Sequence, residues 1–372
     1  MEKTKVDSVR QPGQQPVRAD RTGSSENLAR NVLDRIENQG VDTEYLRRGV
    51  RSIRRLLRSA RRQAYLDLFP DYRRSILLTG TGRSGTTWVS HIINFRNDFR
   101  YMFEPFHPKF VPACKPFLQP QYLRTEDASL EFLQAARRIL SGQVRGAWVD
   151  KYNACMFPTR RLIKDIRTNL LLKWMHIHFP EVPIVLLLRH PCAVANSRIK
   201  KKFTSDLGVY LGQPDLVNDF LSPFVPLLED ATEPFEQHVL RWCIESFIPL
   251  KLFSPTEICV LFYETLCTQP EVEIGRLFSY LKLPFDQRLR QRVLQTFQAP
   301  SPEVRKESAI FTGSSLVAAW QREVDEKNVC RTVEILNIFG LNELYTENPM
   351  PVNDFVRRWT KGSSGKSDLS EE

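Results

Sequence analysis

Residues 76–88, ILLTGTGRSGTTW, decide the fold of this chain. The stretch begins with apolar residues, continues through glycines and hydroxyl side chains at 80–87, and ends in the start of a helical pattern. A buried strand that runs into a glycine-rich turn and then a helix is typical of a phosphate-binding loop. A triphosphate-binding loop carries a lysine at the position that Thr86 occupies here. The stretch therefore predicts an anion site without the lysine that reaches the β- and γ-phosphates.

Composition predicts a globular protein in a reducing compartment. Of 372 residues, 42% are hydrophobic and 26% are charged. The longest strongly apolar run, residues 182–188, is far shorter than the ~20 residues that a membrane-spanning helix needs. The N-terminal residues contain no apolar segment of the signal-peptide type. Seven cysteines are scattered without a Cys-x-x-Cys pair, so we expect free thiols and a cytoplasmic location.

The positive charge is confined to one short segment. The net charge is +10, and eight arginines with no acidic residue lie between Arg47 and Arg62. The rest of the chain is therefore nearly neutral, so the charge gives no reason to expect a nucleic-acid partner.

Four regions are predicted along the chain. Residues 1–40 are polar and rich in Gln, Pro, Ser and Gly, and are expected to be disordered. Residues 41–70 are expected to form an Arg-rich amphipathic helix, because apolar residues recur at helical spacing from Leu46 to Leu68. The main domain covers 71–347, and 348–372 form a C-terminal tail.

Two roles stay open for the Arg-rich helix at 46–68. One is docking by its apolar face on the main domain or on a second subunit, and the other is lying on an anionic membrane surface as a peripheral anchor. The docked helix is favoured, because helices that face lipid usually carry bulkier apolar side chains.

The domain at 71–347 alternates short apolar strands with helical segments. Strands are predicted at 74–79, 101–103, 162–163, 184–188 and 258–262, with helices between them. Continuously apolar strands separated by helices predict an α/β fold, a P-loop-like three-layer sandwich with a central parallel sheet flanked by helices.

Functional side chains are expected where these strands end. Ligands bind outside the carboxyl ends of parallel strands. The strand ends are occupied by the glycine loop at 80–87 and by charged or aromatic residues, namely Glu104, Lys164, Arg189 and Tyr263. Their shared position at one edge of a sheet predicts a single site.

The second motif argues against a metal-dependent nucleotide site. A nucleoside triphosphatase needs an aspartate after a second apolar strand to hold Mg²⁺. Here the strand PIVLLL, residues 183–188, is followed by Arg189, and Ser197 lies eight residues further on. A cation in place of a metal ligand predicts a second phosphate that the protein binds directly, with no metal.

Both motifs resemble those of PAPS-dependent sulfotransferases, whose donor is 3′-phosphoadenosine 5′-phosphosulfate. TGTGRSGTTW resembles the family's 5′-phosphosulfate loop, and LLLRHPCAVANSR resembles its 3′-phosphate motif. The likeness is greater to the bacterial, carbohydrate and tyrosylprotein branches than to the cytosolic one, which has a lysine where this chain has Arg83.

The resemblance implies a set of donor-binding residues. Those for the phosphosulfate are Arg83, Ser84, Gly85, Thr86 and Thr87. Those for the 3′-phosphate are Arg189 and Ser197, with Lys201 as a further basic contact. Tyr263 would approach the nucleotide, and Ser314, Ser315 and Trp320 would lie in a segment that closes over it, with Lys306 a weaker candidate.

The resemblance also implies an enzyme that moves a sulfuryl group to an acceptor hydroxyl without a metal. Arg83 and Lys164 would stabilise the transferring group. Glu104 would be the general base, tuned by burial to act near neutral pH, with His107 as its competitor. The acceptor, a carbohydrate, lipid or natural product, would contact 105–130, 142–160 and 203–235. The alternatives are a P-loop kinase or nucleoside triphosphatase, and a catalytically inactive nucleotide- or partner-binding module.

Overall fold

Five short parallel strands form one sheet in the order β2-β3-β1-β4-β5. The computed structural model describes residues 64–291 and 317–361. The strands are β1 Ser75–Thr79, β2 Phe99–Phe103, β3 Arg160–Lys164, β4 Ile184–Leu188 and β5 Cys259–Phe262. All five predicted strands are present, with ends shifted by one or two residues at most places.

Helices connect the strands and cover both faces of the sheet. They are α1 Thr86–Ile93, α2 Leu130–Leu140, α3 Leu172–His178, α4 Pro191–Lys200, α5 Gly208–Leu211, α6 Pro214–Leu216, α7 Val225–Asp230, α8 Pro234–Leu252, α9 Tyr263–Thr268, α10 Pro270–Tyr280, α11 Glu326–Ile338 and α12 Asn353–Lys361. Within the described ranges, none of these helices combines the length and apolarity that a membrane span requires.

Successive residues of each strand contribute to two separate cores. Leu77 of β1 belongs to the cluster on one face of the sheet, whereas Ile76 and Leu78 belong to the cluster on the other. This alternation is the period of two that a strand imposes on its side chains. A parallel sheet with a helical core on each face confirms the predicted α/β three-layer fold.

The order of the strands fixes where a ligand can bind. β1 pairs with β3 on one side and with β4 on the other, so the chain direction across the sheet reverses at β1. The crevice beyond the carboxyl ends of such neighbouring strands is the usual ligand site of open α/β sheets. The glycine loop after β1 and Arg189 after β4 border this crevice.

The described end of the predicted helix at 41–70 is not helical. Residues 64–70 contain no helix, and Leu68 is 70% exposed. The Asp67 carboxylate pairs with Arg161 at 2.6 Å and with Arg100 at 3.4 Å, which draws this segment against the sheet. For these residues the helix prediction is wrong, because two buried arginines of β2 and β3 outweigh a local helical pattern. Residues 1–63, with the predicted disorder at 1–40, lie outside the described residues.

The C-terminal tail begins later than predicted. Residues 353–361 of the predicted tail at 348–372 form α12, and the Trp359 side chain is only 5% exposed. Phe355, one turn earlier, packs edge-on against Phe262 of β5 with ring centroids 6.4 Å apart. The two aromatic residues share one helix face, so this segment belongs to the folded domain.

Candidate active site

The glycine loop has the backbone geometry of an anion cradle. Gly85 caps the start of α1 with a left-handed φ of 105°. A Cβ at Gly80 would lie 2.4 Å from the Leu187 carbonyl oxygen, so only glycine fits where the loop leaves β1 beside β4. The first N–H groups of α1 are unpaired within a helix and face the loop, which favours a bound anion.

The two donor motifs meet in space. Arg83 has a left-handed φ of 87°, and its Nε donates a hydrogen bond to Ser197 Oγ at 3.0 Å. The Arg189 guanidinium in turn donates from Nη1 to the Arg83 carbonyl oxygen at 3.2 Å. Residues from the loop, from the end of β4 and from α4 therefore lie next to one another.

One loop hydroxyl is buried without a partner. Ser84 Oγ is fully buried and makes no hydrogen bond in the described structure. A buried hydroxyl that lacks a partner costs free energy that a ligand oxygen would recover. Thr86 is also buried and Thr87 half-buried at the start of α1. These groups fit the phosphosulfate that the loop motif predicts.

Tyr263 contributes to the cleft through Arg189. The Arg189 guanidinium lies 4.2 Å above the centre of the Tyr263 ring, and the Trp88 ring packs against the Tyr263 ring with the two centroids 5.5 Å apart. Burial raises the pKa of the Tyr263 hydroxyl. Tyr263 is thus a buried platform that holds Arg189 beside the loop.

Glu104 is held by two cations at the edge of the same cleft. Its backbone is left-handed, with φ 44°, and its side chain is buried. Lys164 Nζ contacts Oε1 at 2.7 Å, and Arg167 Nη1 contacts Oε2 at 2.7 Å. The register sets this pairing, because Phe103 of β2 lies opposite Lys164 of β3.

The ionisation of Glu104 differs from the expectation that burial would tune it upward. Burial raises its pKa, but the charges and hydrogen bonds of Lys164 and Arg167 together lower it below its usual value. The expectation is wrong in direction, because a carboxylate between two cations gains more than it loses by desolvation. Glu104 is therefore ionised at neutral pH.

His107 is poorly placed to compete as a base. Arg167 Nε, which can only donate, faces Gln119 Oε1 at 3.2 Å, so the Gln119 amide nitrogen donates to His107 Nδ1 at 3.2 Å. The ring proton of His107 therefore sits on Nε2. Burial and the Arg167 charge lower its pKa to about 4. With Nδ1 occupied and Nε2 protonated, the geometry favours Glu104.

Two functional side chains were missed in the sequence. Arg167 and Gln119 connect Glu104 to His107 through the hydrogen bonds just described. Arg167 ends the stretch LIKDIR, residues 162–167, three residues after Lys164, so its position gave a signal. Gln119 comes from a loop between β2 and α2, and no sequence pattern brings it to this place.

An aromatic surface borders Glu104. Trp148 Nε1 donates to the Glu104 carbonyl oxygen at 3.1 Å, and its ring stacks on Phe110 at 4.1 Å. Phe110 remains 44% exposed. Both residues lie in segments expected to contact the acceptor.

The remaining residues predicted to bind the sulfuryl donor lie in different surroundings. Lys201 is exposed at the end of α4, and its side chain forms no ion pair with the described residues. Trp320 is buried and stacks on the His190 ring at 4.3 Å, directly beside Arg189. Ser314, Ser315 and Lys306 lie outside the described residues.

The family model described as "Sulfotransferase family" matches residues 75–287. This match covers more than half of the chain, which therefore belongs to the Sulfotransferase family. The family resemblance inferred from the two motifs is confirmed.

Individual relatives are more distant. Nodulation protein NoeE of Sinorhizobium fredii (strain NBRC 101917 / NGR234) is 32% identical over 127 residues, which cover 32% of this chain and 30% of NoeE. The chain thus spans about a third of the curated relative that it matches. Mouse sulfotransferase SULT7A1 complexed with PAP has 11% identity and a TM-score of 0.41, covering 77% of this chain and 90% of that one. Retinol dehydratase with retinol and PAP has 16% identity and a TM-score of 0.39, covering 80% and 88%.

Proposed function

We propose that this protein transfers a sulfuryl group from PAPS to a hydroxyl of an acceptor. The observation that carries the proposal is the order of groups along one edge of the sheet. Glu104 and Lys164 stand at β2 and β3, the anion loop at β1, and Arg189 at β4. A base, a cradle for the transferring group and a separate cation thus follow one another across a single cleft.

The donor would be held at its two charged ends. At the phosphosulfate end, the loop supplies the α1 N-terminus, the unpaired Ser84 hydroxyl and the Arg83 side chain. At the 3′-phosphate end, Arg189 and Ser197 supply a cation and a hydroxyl, already linked to Arg83 by hydrogen bonds. All of these contacts come from protein donors.

In the proposed reaction, an acceptor oxygen forms a bond to sulfur while the bond between sulfur and the bridging oxygen of the 5′-phosphate breaks. The acceptor proton passes to Glu104, and PAP leaves. Arg83 and Lys164 stabilise the charge that develops on the sulfuryl and bridging oxygens. Both carboxylate oxygens of Glu104 already accept a bond from a cation, but each retains a lone pair for the acceptor hydroxyl.

The acceptor class we propose is a hydroxyl of a carbohydrate, lipid or natural product that reaches Glu104 past Phe110 and Trp148. We place the reaction in the cytoplasm, since all seven cysteines are free and four of them are buried thiols. Association with a membrane or a second subunit through residues 46–68 remains part of the proposal and rests on their sequence alone.

A transfer assay tests the proposal against its alternatives. Purified protein is incubated with sulfur-35-labelled PAPS and a panel of sugars, phenols and lipid alcohols, and titrated calorimetrically with PAP and with Mg²⁺–ATP. We expect PAP binding and label transfer to at least one class of acceptor. Preferential binding of Mg²⁺–ATP would support a kinase or triphosphatase instead, and PAP binding without transfer to any acceptor would support an inactive module.

Glu104→Gln tests the role of Glu104 as the general base. This variant should bind PAP within a few-fold of the wild type, since Glu104 faces the acceptor side of the cleft. Its turnover should fall by roughly two to four orders of magnitude, as expected for loss of a general base. Near-normal turnover would remove Glu104 from its assigned role while leaving the donor assignment intact.

A further inference from the structure

Arg198, the residue after Ser197, points into the protein from α4. Its side chain is 5% exposed, whereas the next residue, Ile199, is 39% exposed. A buried arginine next to a donor-site serine lies behind the glycine loop, where no ligand contact has been assigned to it.

The three nitrogens of the guanidinium have different surroundings. Nε donates to His238 Nδ1 at 3.0 Å, and Nη2 donates to the Thr204 carbonyl oxygen at 3.2 Å. Nη1 has no hydrogen bond to a described residue. It lies 3.3 Å from the point where a Cβ on Gly82 would stand, so it reaches the glycine loop through the space left by that missing side chain.

His238 supports Arg198 without neutralising it. His238 Nε2 lies 3.0 Å from the Phe203 carbonyl oxygen, to which it must donate, so Nδ1 is the acceptor for Arg198. Burial and the Arg198 charge lower the pKa of His238 to about 4, which keeps the ring neutral. The partner of Arg198 Nε is thus a fixed, uncharged acceptor.

No carboxylate is bonded to Arg198. The nearby Glu245 is paired with Arg241 at 2.9 Å and accepts the Tyr210 hydroxyl at 2.9 Å. Glu245 attracts the Arg198 charge from a distance, but Nη1 has no hydrogen-bond acceptor among the described residues. A buried cation with an unused donor is expected to face a bound anion, and the glycine loop is the anion site that Nη1 approaches.

We infer that Arg198 is a further binding residue for the donor, with Nη1 contacting the phosphosulfate end beside Gly82, and that His238 is its positioning residue. The 5′ end is assigned because Nη1 approaches Gly82, which lies in the loop next to Arg83 and Ser84, and the same Cβ point lies 3.2 Å from Ile166, two residues after Lys164. This inference rests on the proposed sulfotransferase function.

Binding of three ligands distinguishes contacts to the 5′ end of the donor from contacts to its 3′ end. Arg198→Gln is titrated calorimetrically with adenosine 5′-phosphosulfate, with 3′-AMP and with PAP. We expect Kd to rise about tenfold or more for adenosine 5′-phosphosulfate and PAP, the usual effect of losing a charge-assisted hydrogen bond, while Kd for 3′-AMP changes less than about twofold. Lys200→Gln, on the exposed side of α4, is the control and should bind all three ligands normally.

Variants of His238 test the positioning role with Arg198 in place. His238→Asn keeps an oxygen near the position of Nδ1, and this variant should bind adenosine 5′-phosphosulfate like the wild type. His238→Phe removes the acceptor and should weaken that ligand with little effect on 3′-AMP. If instead both His238 variants weaken binding equally, His238 has no acceptor role.

The outcomes also separate this inference from the proposed function. Two results would overturn only the role of Arg198, provided that the wild-type protein binds PAP. In the first, Arg198→Gln binds adenosine 5′-phosphosulfate as tightly as the wild type does. In the second, the substitution weakens the binding of 3′-AMP as much as that of adenosine 5′-phosphosulfate. If wild-type protein binds none of the three ligands, the proposed function and this inference both fall. Should Arg198→Gln not fold, as judged by circular dichroism, His238→Phe gives the same decision.

Discussion

Glu104 combines three features that rarely occur together by chance. Its backbone is left-handed, its carboxylate is buried, and both oxygens are held by cations. Left-handed backbone in a residue with a side chain costs free energy and persists where the surroundings enforce it, often at functional sites. Arg83 shows the same strain in the glycine loop. The two residues assigned to opposite sides of the transferring group are thus both fixed by their backbones.

The pH dependence of turnover should show how strongly the neighbouring cations lower the pKa of Glu104. A cation favours the ionised carboxylate, so removing one raises the pKa, and the base becomes protonated at a higher pH. In Arg167→Gln we expect the acidic limb of kcat/KM to move to a higher pH than in the wild type, where, against the effect of burial, Lys164 and Arg167 hold the pKa of Glu104 below its usual value. The measurement is kcat/KM for the acceptor at saturating PAPS. A limb that stays at the same pH in the variant argues against Glu104 as the titrating base.

Replacement of His107 should be tolerated. Its Nδ1 is occupied by Gln119 and its Nε2 carries the proton, so it cannot accept a proton in this arrangement. His107→Asn should keep kcat within about tenfold of the wild type, well above the residual activity of Glu104→Gln. A kcat as low as that of Glu104→Gln would return the base to His107.

Sequence alone gave Glu104 and Lys164 as candidates but not the ionisation of Glu104. Their positions follow from the pattern of strand ends, which is local information. The lowered pKa of Glu104 depends on Lys164 and Arg167 together, and the tautomer of His107 depends on Gln119 from a distant loop. Such electrostatic effects act over a few ångströms between residues far apart in the chain, so no local pattern contains them.

The glycine loop is the element most sensitive to a single added carbon. Gly80 and Gly146 have nearly the same φ, 155° and 152°, so alanine imposes similar backbone strain at both. A Cβ at Gly80 meets the Leu187 carbonyl oxygen and Ser84 Oγ, whereas nothing lies within 4 Å at Gly146. We expect Gly80→Ala to lower the free energy of unfolding by about 1–3 kcal/mol more than Gly146→Ala does. Gly80→Ala should also lose PAP binding. Urea unfolding and calorimetry would measure both, and equal losses would contradict the clash.

The aromatic surface beside Glu104 should act on the acceptor and not on the donor. Phe110 stacks on Trp148, which is bonded to the Glu104 backbone, so an acceptor reaching the base must pass it. With the acceptor found in the transfer assay, Phe110→Ala should raise its KM by roughly threefold to tenfold and leave the Kd of PAP unchanged. Val272→Ala, at an exposed position on α10 outside the segments expected to contact the acceptor, is the control. An unchanged acceptor KM would exclude Phe110 from the acceptor site.

The order of the strands places the five strand ends side by side along one edge of the sheet. β1 carries the loop in the middle of the sheet, with the acceptor-side residues on β2 and β3 and the donor-side residues on β4 and β5. The chain visits these positions in a different order from their arrangement in space. Because β3 lies between β2 and β1, Lys164 stands opposite Phe103 of β2 and Leu78 of β1, and its amine pairs with Glu104.

The C-terminal helix α12 should contribute to the stability of the whole domain. Trp359 is buried in the larger core, and Phe355 packs on β5. Trp359→Ala should lower the free energy of unfolding by about 3–5 kcal/mol, as for other large buried aromatic residues. Arg357→Ala, exposed on the same helix, should change it by less than about 0.5 kcal/mol. If urea unfolding gave the same change in free energy for both variants, α12 would not contribute to the stability of the domain.

The sequence by itself determined the α/β fold, the two anion motifs and the family, because strand periodicity, glycine geometry and motif spacing are properties of neighbouring residues. Only the tertiary structure decided the charge state of Glu104, the low pKa and hydrogen-bond partner of His107, the place of Arg198 beside the loop and the folded state of residues 353–361. It also showed that 64–70 is not helical, because Asp67 pairs with Arg100 and Arg161 across the sheet. These results depend on contacts between distant residues, whose energies exceed the local preferences that a sequence displays.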